Sequence, residues 1–378
     1  MNSVLANARL VLDDEVITGS LVIEDGRIAR IDTGSSVPTG AEDLDGDYLA
    51  PGLVELHTDN LERHMRPRPG VSWPRPAAVL AHDRELASVG VTTVFDALRV
   101  GSIIREDNAD YQRYARPVAD AIIAHKKAGV LSIDHYLHLR AEVCSETLPE
   151  ELDEFSTEDD IGILSLMDHT PGQRQFRDEA KMAQYVGGKS GMKGDEIYAY
   201  FGRLKELSAR VRDRHQEASL AAGRRLGATL ASHDDTTETD VENSRHQGCR
   251  IAEFPTTAEA AKACHQHGLK VIMGAPNYLR GGSHSGNVSA ADLAEQGLLD
   301  ILSSDYAPSS LLMGAVKLGL DQDNLAKGIR TVTRAPAEAA GLNDRGHIAI
   351  GQRADLIRFS VVDGVPAMRG VWSNGRRT

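Results

Sequence analysis

Pro51-Gly52-Leu53-Val54-Glu55-Leu56-His57-Thr58-Asp59 is a short apolar run that ends in a histidine and, two residues on, a carboxylate. The same ending recurs downstream. His169 follows the apolar stretch 161–167, His233 follows Ala228-Thr229-Leu230-Ala231-Ser232, and Asp305 follows Ile301-Leu302-Ser303-Ser304. Strands that each finish in a metal-competent side chain are the trace left by a parallel barrel that gathers ligands at the C-terminal ends of its strands.

Outward from that run, eight candidate strands lie at 53–59, 91–96, 131–140, 161–168, 228–233, 250–254, 270–275 and 300–305. Helical patterns separate most of them. Their alternation predicts an α/β protein with a (β/α)8 TIM barrel over residues 51–344. Residues 1–50 and 345–378 carry short runs rich in Val, Ile and Leu, with Asp25-Gly26 and Asn374-Gly375 as tight-turn signals. These two ends are expected to pair into one flanking β-sandwich. The connection 171–227 is too long for an ordinary βα loop. Its charged part, Asp195 to Arg224, reads as a helix that forms a lid or rim over the barrel mouth. The acidic run Glu146 to Asp160 reads as a solvated surface helix.

Composition narrows the function classes. With 378 residues the chain has room for a barrel and a smaller module. A formal net charge of −13 argues against a nucleic-acid partner, while a small anionic substrate needs a local basic pocket or metal ions. Three cysteines, Cys144, Cys249 and Cys264, show no CxxC spacing and suggest neither a disulfide framework nor a zinc ribbon. Asp13, Asp14 and Glu15 interrupt any signal-like N-terminal segment, and no apolar stretch is long enough for a membrane span. The expectation is a cytoplasmic protein with no membrane partner.

The candidate ligands follow from strand geometry. His57 and Asp59 sit at i and i+2, so on a strand both point to one face and enter the barrel mouth together. Glu142 closes the third strand, either as a carboxylate bridging two divalent ions or as the first residue of the acidic stretch. His138, deeper in that strand, reads as a buried, hydrogen-bonded histidine. His169 is favoured over Asp168, which is kept as its supporting partner. His233 follows His57 as the best single ligand, with Asp234 or Asp235 orienting it. Glu253 ends the sixth strand as a ligand, a substrate contact or part of a helix start at Pro255-Thr256. Asp305 ends the eighth and is placed both to ligate and to act as general base.

The segment Asn277 to Asn287 follows the seventh strand and contains Arg280, Gly281, Gly282, Ser283, His284 and Gly286. Glycines let backbone approach an anion, and Arg280, Ser283 and His284 supply donors, so this loop reads as a phosphate or phosphonate site or as a plain flexible loop. It lacks the Gly-Lys-Ser/Thr ending of a P-loop. Arg66, Arg68 and Arg174 add positive charge near the mouth or serve surface salt bridges.

Several of these motifs resemble the amidohydrolase superfamily: Pro51-Gly52 leading to His57 and Asp59, Gly90-Val91-Thr92-Thr93-Val94, Gly351-Gln352-Arg353-Ala354-Asp355-Leu356, and Asp305. The resemblance implies a distorted (β/α)8 barrel, a β-sandwich built from both chain ends, and one or two divalent metal ions, zinc or manganese. Longer stretches look like its PhnM-type branch, from the carbon–phosphorus lyase pathway, over essentially the whole chain. They are Glu55 to Asn60, Ser165 to Phe176, Ala231 to Asp235, Ile251 to Thr257, Met273 to Asn277, Arg280 to Asn287 and Asp300 to Asp305. Asp59 stands where most superfamily members have a second histidine, and Glu253 where many have the sixth-strand histidine; both departures look shared with that branch.

What the branch implies is hydrolysis of a phosphorylated ribose phosphonate, α-D-ribose 1-methylphosphonate 5-triphosphate, to the 5-phosphate and diphosphate, in a homodimeric enzyme. The expected metal set is His57, Asp59, Glu142, His169, His233 and Asp305, with Asp305 the catalytic base. Glu253, Arg280, Ser283, His284 and Arg174 are the expected substrate contacts. Two other functions use the same residues. An amide or ring hydrolase, such as a deacetylase or an adenine-deaminase-like enzyme, has no need of the anion-binding groups at 280–287. A catalytically silent scaffold relative has no need of the full ligand set.

Overall fold

Strand β1, Leu53–Thr58, is buried along its whole length. It begins a row of eight parallel strands, each paired with the next. The others are β2 Val91–Val100, β3 Asp134–Glu142, β4 Ile161–Met167, β5 Thr229–His233, β6 Ile251–Glu253, β7 Lys270–Gly274 and β8 Ile301–Ser303. This computed structural model describes residues 3–103, 113–190, 192–283 and 286–378. All eight expected strands are present, and β3 runs on to Glu142, two residues beyond the sequence reading.

The row closes on itself between β8 and β1. Thr58 and Asp305 form an isolated parallel bridge, and the Ser303 hydroxyl donates to the His57 carbonyl at 2.5 Å. The fully buried Glu55 carboxylate accepts from the backbone N–H of His57 at 2.8 Å and of Ser304 at 2.6 Å. Burial pushes Glu55 up to about 7.

The period of two along each strand sorts the barrel interior into layers. Val54, Phe95, Ile163, Ala231, Ile251, Ile272 and Ile301 pack together as an apolar floor, with Tyr136 against it. Two residues further along the later strands the side chains turn polar: His138, Ser165, His233, Glu253 and Ser303. The alternation itself therefore carries the chemistry to the C-terminal end. The floor is tight, since a Cβ on Gly162 would lie 2.2 Å from the Phe95 ring.

The chain ends form a second sheet by hydrogen bonding. Leu356–Val362 pairs antiparallel with Tyr48–Pro51, which in turn pairs with Ser3–Val11. The hairpins Val16–Glu24/Arg27–Thr33 and Leu356–Val362/Val365–Ser373 extend it on either side. Asp25-Gly26 and Asn374-Gly375 have the paired positive φ angles of tight hairpin turns. Leu5, Leu10, Leu21, Ile23, Leu49, Leu356 and Trp372 fill the core of this unit. Because Tyr48–Pro51 runs directly through Gly52 into β1, the end sheet fixes where β1 starts. Gly52 is needed there: an added Cβ would meet the Thr92 hydroxyl at 2.3 Å.

The long connection after β4 folds as two helices, Glu179–Ser190 and the 32-residue Asp195–Leu226. They stand as a rim at the mouth. His215 on the second donates from Nδ1 to the Val143 carbonyl at 3.0 Å, tying the rim to the end of β3. The acidic run departs from its expected solvated helix. Leu148, Leu152 and Phe155 are buried, and buried Glu151 accepts from the Thr147 hydroxyl and the Gly101 N–H. Among the described residues no helix is long and apolar enough to cross a membrane. All three cysteines are buried and unpaired.

Candidate active site

The C-terminal ends of the barrel strands open into a cavity of about 1060 Å3. His57, Asp59, Glu142, His169, His233, Asp234 and Asp305 all line it. Their order around the mouth follows strand order: His57 from β1, Glu142 at the end of β3, His169 just past β4, His233 at the end of β5 and Asp305 just past β8. Asp234 and Asp305 both have positive φ, 57° and 53°, so the backbone turns sharply as it leaves β5 and β8.

Three histidines share one arrangement. His57 Nδ1 lies 2.9 Å from Glu253 Oε1, His169 Nδ1 lies 2.5 Å from Glu142 Oε2, and His233 Nδ1 lies 2.7 Å from Asp234 Oδ2. An ionised carboxylate only accepts, so Nδ1 carries a proton in each pair, and in the neutral ring Nε2 keeps its lone pair. The ring centroids of His57 and His169 stand 5.7 and 5.8 Å from that of His233. Burial holds His57 well below its ordinary pKa, which keeps the ring neutral. Burial also opposes charge on His169, but Glu142 outweighs it and raises that group. Asp234 is held down against its burial by His233 and His169.

One atom tests whether the site fits a cation. His233 Nε2 is buried and has no hydrogen-bond partner among the described residues. A buried, unsatisfied nitrogen is costly unless something binds it. The ligand atoms of His233, His169 and Asp234 lie within 4.8 Å of one another, a set that fits a divalent cation of the zinc or manganese kind, and His57, Asp59 and Asp305 line the same cavity. His138 is excluded from that set although it lies close to Glu253. Its Nδ1 donates to the Leu56 carbonyl at 2.9 Å and its Nε2 takes the Ser165 hydroxyl at 2.9 Å, so both nitrogens are spent.

Asp305 faces the cavity beside Asp59. Burial, with the Asp59 charge next in weight, pushes it up to about 7, a range suited to exchanging a proton near neutrality.

Several sequence expectations shift. Glu142 reaches the site, where it accepts from the His169 ring and backbone N–H and from the Cys144 backbone N–H. Asp168 does not support His169: it accepts from the Thr170 N–H and hydroxyl and pairs with Arg212 at 3.0 Å. Glu253 is buried behind His57 and absent from the cavity wall, where Phe254 and Pro255 appear instead. Arg174 is likewise absent from the cavity wall; it donates to the His233 carbonyl at 2.7 Å and to Asp235 at 2.8 Å. Arg280 and Ser283 do line the cavity; His284 lies outside the described residues. The segment after β7 begins as a helix, Ala275–Arg280, with Pro276 in its first turn. Gly281, at φ 75°, caps that helix.

The sequence reading missed two arginines. Arg99 and Arg140 sit at even spacing from the floor residues Phe95 and Tyr136, which points both into the mouth, and both line the cavity. That spacing was the available signal.

The chain matches no protein-family profile. It is 42% identical over 377 residues to the alpha-D-ribose 1-methylphosphonate 5-triphosphate diphosphatase of Escherichia coli, covering 99% of each chain. An adenine deaminase of Ligilactobacillus salivarius is 25% identical over 372 residues, which are 95% of this chain and 54% of that one. Among solved structures, an amidohydrolase superposes over 100% of this chain and 99% of its own, with a TM-score of 0.61 at 15% identity. The end-to-end likeness decides between these relatives: the chain belongs to the alpha-D-ribose 1-methylphosphonate 5-triphosphate diphosphatase family, on the amidohydrolase fold.

Proposed function

We propose that this protein is a metal-dependent hydrolase that cleaves α-D-ribose 1-methylphosphonate 5-triphosphate to the 5-phosphate and diphosphate. The observation that carries this reading is the trio of carboxylate-anchored histidines facing a cavity that arginines also line, in a chain alike from end to end to a diphosphatase.

His57, His169 and His233 would hold the cation through Nε2, together with Asp59 and Asp305. A zinc or manganese ion there supplies positive charge for a developing phosphoryl oxyanion and acidifies water. Asp305 takes the proton of the attacking water. The water oxygen bonds to phosphorus as the anhydride P–O bond breaks, and the bridging oxygen leaves with the electron pair. Glu142, Glu253 and Asp234 keep the three imidazoles in one tautomer. Arg280 and Ser283, on the wall after β7, meet the remaining anionic groups. Met182, Val186 and Leu204 from the helical rim give the cavity an apolar side that excludes water from the reacting group. The working form is a homodimer in the cytoplasm, with a small molecule rather than a nucleic acid or membrane as its partner.

Phosphorus NMR of the zinc- or manganese-loaded protein with this triphosphate tests the reading. Diphosphate appearing together with the 5-phosphate is expected. Stepwise orthophosphate, or an unchanged spectrum with ammonia released from adenine instead, overturns it.

A further inference from the structure

Arg99 and Arg140 are direct partners in the parallel β2–β3 ladder, and both line the cavity. Adjacent strands stand about 4.8 Å apart. Two like charges facing each other across that gap are destabilising, and more so where water is scarce. The Arg140 side chain is only 16% exposed.

The two guanidinium groups differ in how they are held. Arg99 is fixed: its Nη1 donates to the Gly101 carbonyl at 2.7 Å, and it lies over the Tyr114 ring. Tyr114 is fixed in turn, accepting from the Arg99 backbone N–H and donating to Glu62, each at 2.9 Å. Among the described residues Arg140 is hydrogen-bonded at Nε alone, which donates to Met167 Sδ at 3.2 Å, a weak acceptor. Its Nη1 is 3.7 Å from Asp59, an ion pair too long for a hydrogen bond. Neither Nη group of Arg140 makes a hydrogen bond among the described residues. A mostly buried fork with unused donors beside a second cation is a receptor for an anion with several oxygens.

We infer that Arg99 and Arg140 form a paired clamp for the diphosphate unit of the substrate, with Arg140 nearest the reacting phosphorus. This rests on the reaction proposed above. Arg140 Nη1 faces Asp59, one of the candidate cation ligands, at 3.7 Å, and Arg99 stands on β2, between the strand that leads to Asp59 and the strand that carries Arg140. The pair holds the two terminal phosphoryl groups before cleavage. It holds inorganic diphosphate afterwards, with no bond made or broken by either arginine.

The test is calorimetric titration of inorganic diphosphate into the zinc-loaded full-length protein, with zinc content measured on every variant. Wild type is expected to bind. Arg140→Gln and Arg99→Gln should each bind at least tenfold more weakly at unchanged zinc content, and Arg140→Lys, which keeps charge but loses the fork, should fall between. The clamp is overturned if wild type binds no diphosphate or if Arg140→Gln binds as tightly as wild type. It is also overturned if Arg140→Gln loses zinc with its ligand, which would make Arg140 a support for Asp59. Should Arg140→Gln fail to fold, Arg140→Lys and Arg99→Gln decide by the same comparison. A wild type that binds diphosphate through both arginines yet releases none from the triphosphate sinks the proposed reaction and leaves the clamp standing.

Discussion

His57 donates its Nδ1 proton to Glu253 across 2.9 Å, joining the end of the first barrel strand to the end of the sixth. The contact fixes which nitrogen of His57 is free. It also explains a buried glutamate at a place where the sequence allowed a ligand, a substrate contact or a helix start. Glu253→Gln keeps the shape but weakens the acceptor and removes the charge. Loss of a carboxylate behind a ligating histidine typically costs about 10–100-fold in metal affinity. Competition against a chelator should show that loss, with activity recovering at high metal concentration. Wild-type metal affinity in the variant would mean that His57 does not ligate.

Asp305→Asn tests the base directly. The amide cannot take a proton, while its oxygen can still face a cation. A fall in kcat of about 10²–10⁴ is expected, the usual contribution of a positioned acid or base. Metal content measured on the same sample separates this from loss of the site. Near-normal turnover with metal bound would remove Asp305 from the role.

Much of this was legible along the chain, and the rest was hidden for a physical reason. The strand endings at His57, His169, His233 and Asp305 each follow a local apolar run, so a period of two and a turn signal find them. Asp234, next to His233, was equally local, but two other partners were not. Glu253 is 196 residues from His57, and Glu142 is 27 from His169. Only the closed barrel makes them neighbours. Asp168, next to His169 in sequence, drew the supporting role for that reason and does not have it, because β4 ends at Met167 and the chain turns Asp168 toward Arg212. Arg99 and Arg140 were missed because an arginine usually marks the surface. Their inward direction is set by the floor residues Phe95 and Tyr136, whose own burial only the packed barrel reveals.

The seam between Gly52 and Thr92 is where the end sheet hands the chain to the barrel. Gly52→Ala should destabilise the protein by about 1–3 kcal/mol through overpacking, read from the midpoint of urea unfolding. Gly52→Ala/Thr92→Ala should recover part of the loss, since the Thr92 hydroxyl and methyl lie 2.3 and 2.5 Å from the new Cβ position. Additive costs in the double variant would show that the two positions do not touch.

A second buried network, on the outside of β2 and β3, sets a pH limit on the fold. His135 Nδ1 lies 2.7 Å from Asp96 Oδ2, and its Nε2 lies 3.3 Å from Asp83. His82 Nε2 lies 2.8 Å from the other oxygen of Asp96. Burial disfavours a charged His135, but Asp96 and Asp83 outweigh it and raise the group to about 9. Burial keeps His82 below its ordinary value, and both aspartates are held low against their burial by the histidines. An unfolded histidine titrates near about 6.5. Between that value and about 9 the folded chain therefore keeps a proton that the unfolded chain has released. The stabilisation is complete below the lower value and fades as pH rises through the upper one. The thermal midpoint should fall between pH 7 and pH 9.5 by on the order of a few degrees. His135→Gln should start lower at pH 7 and change less over the same range. An equally steep fall in that variant would assign the pH dependence to another group.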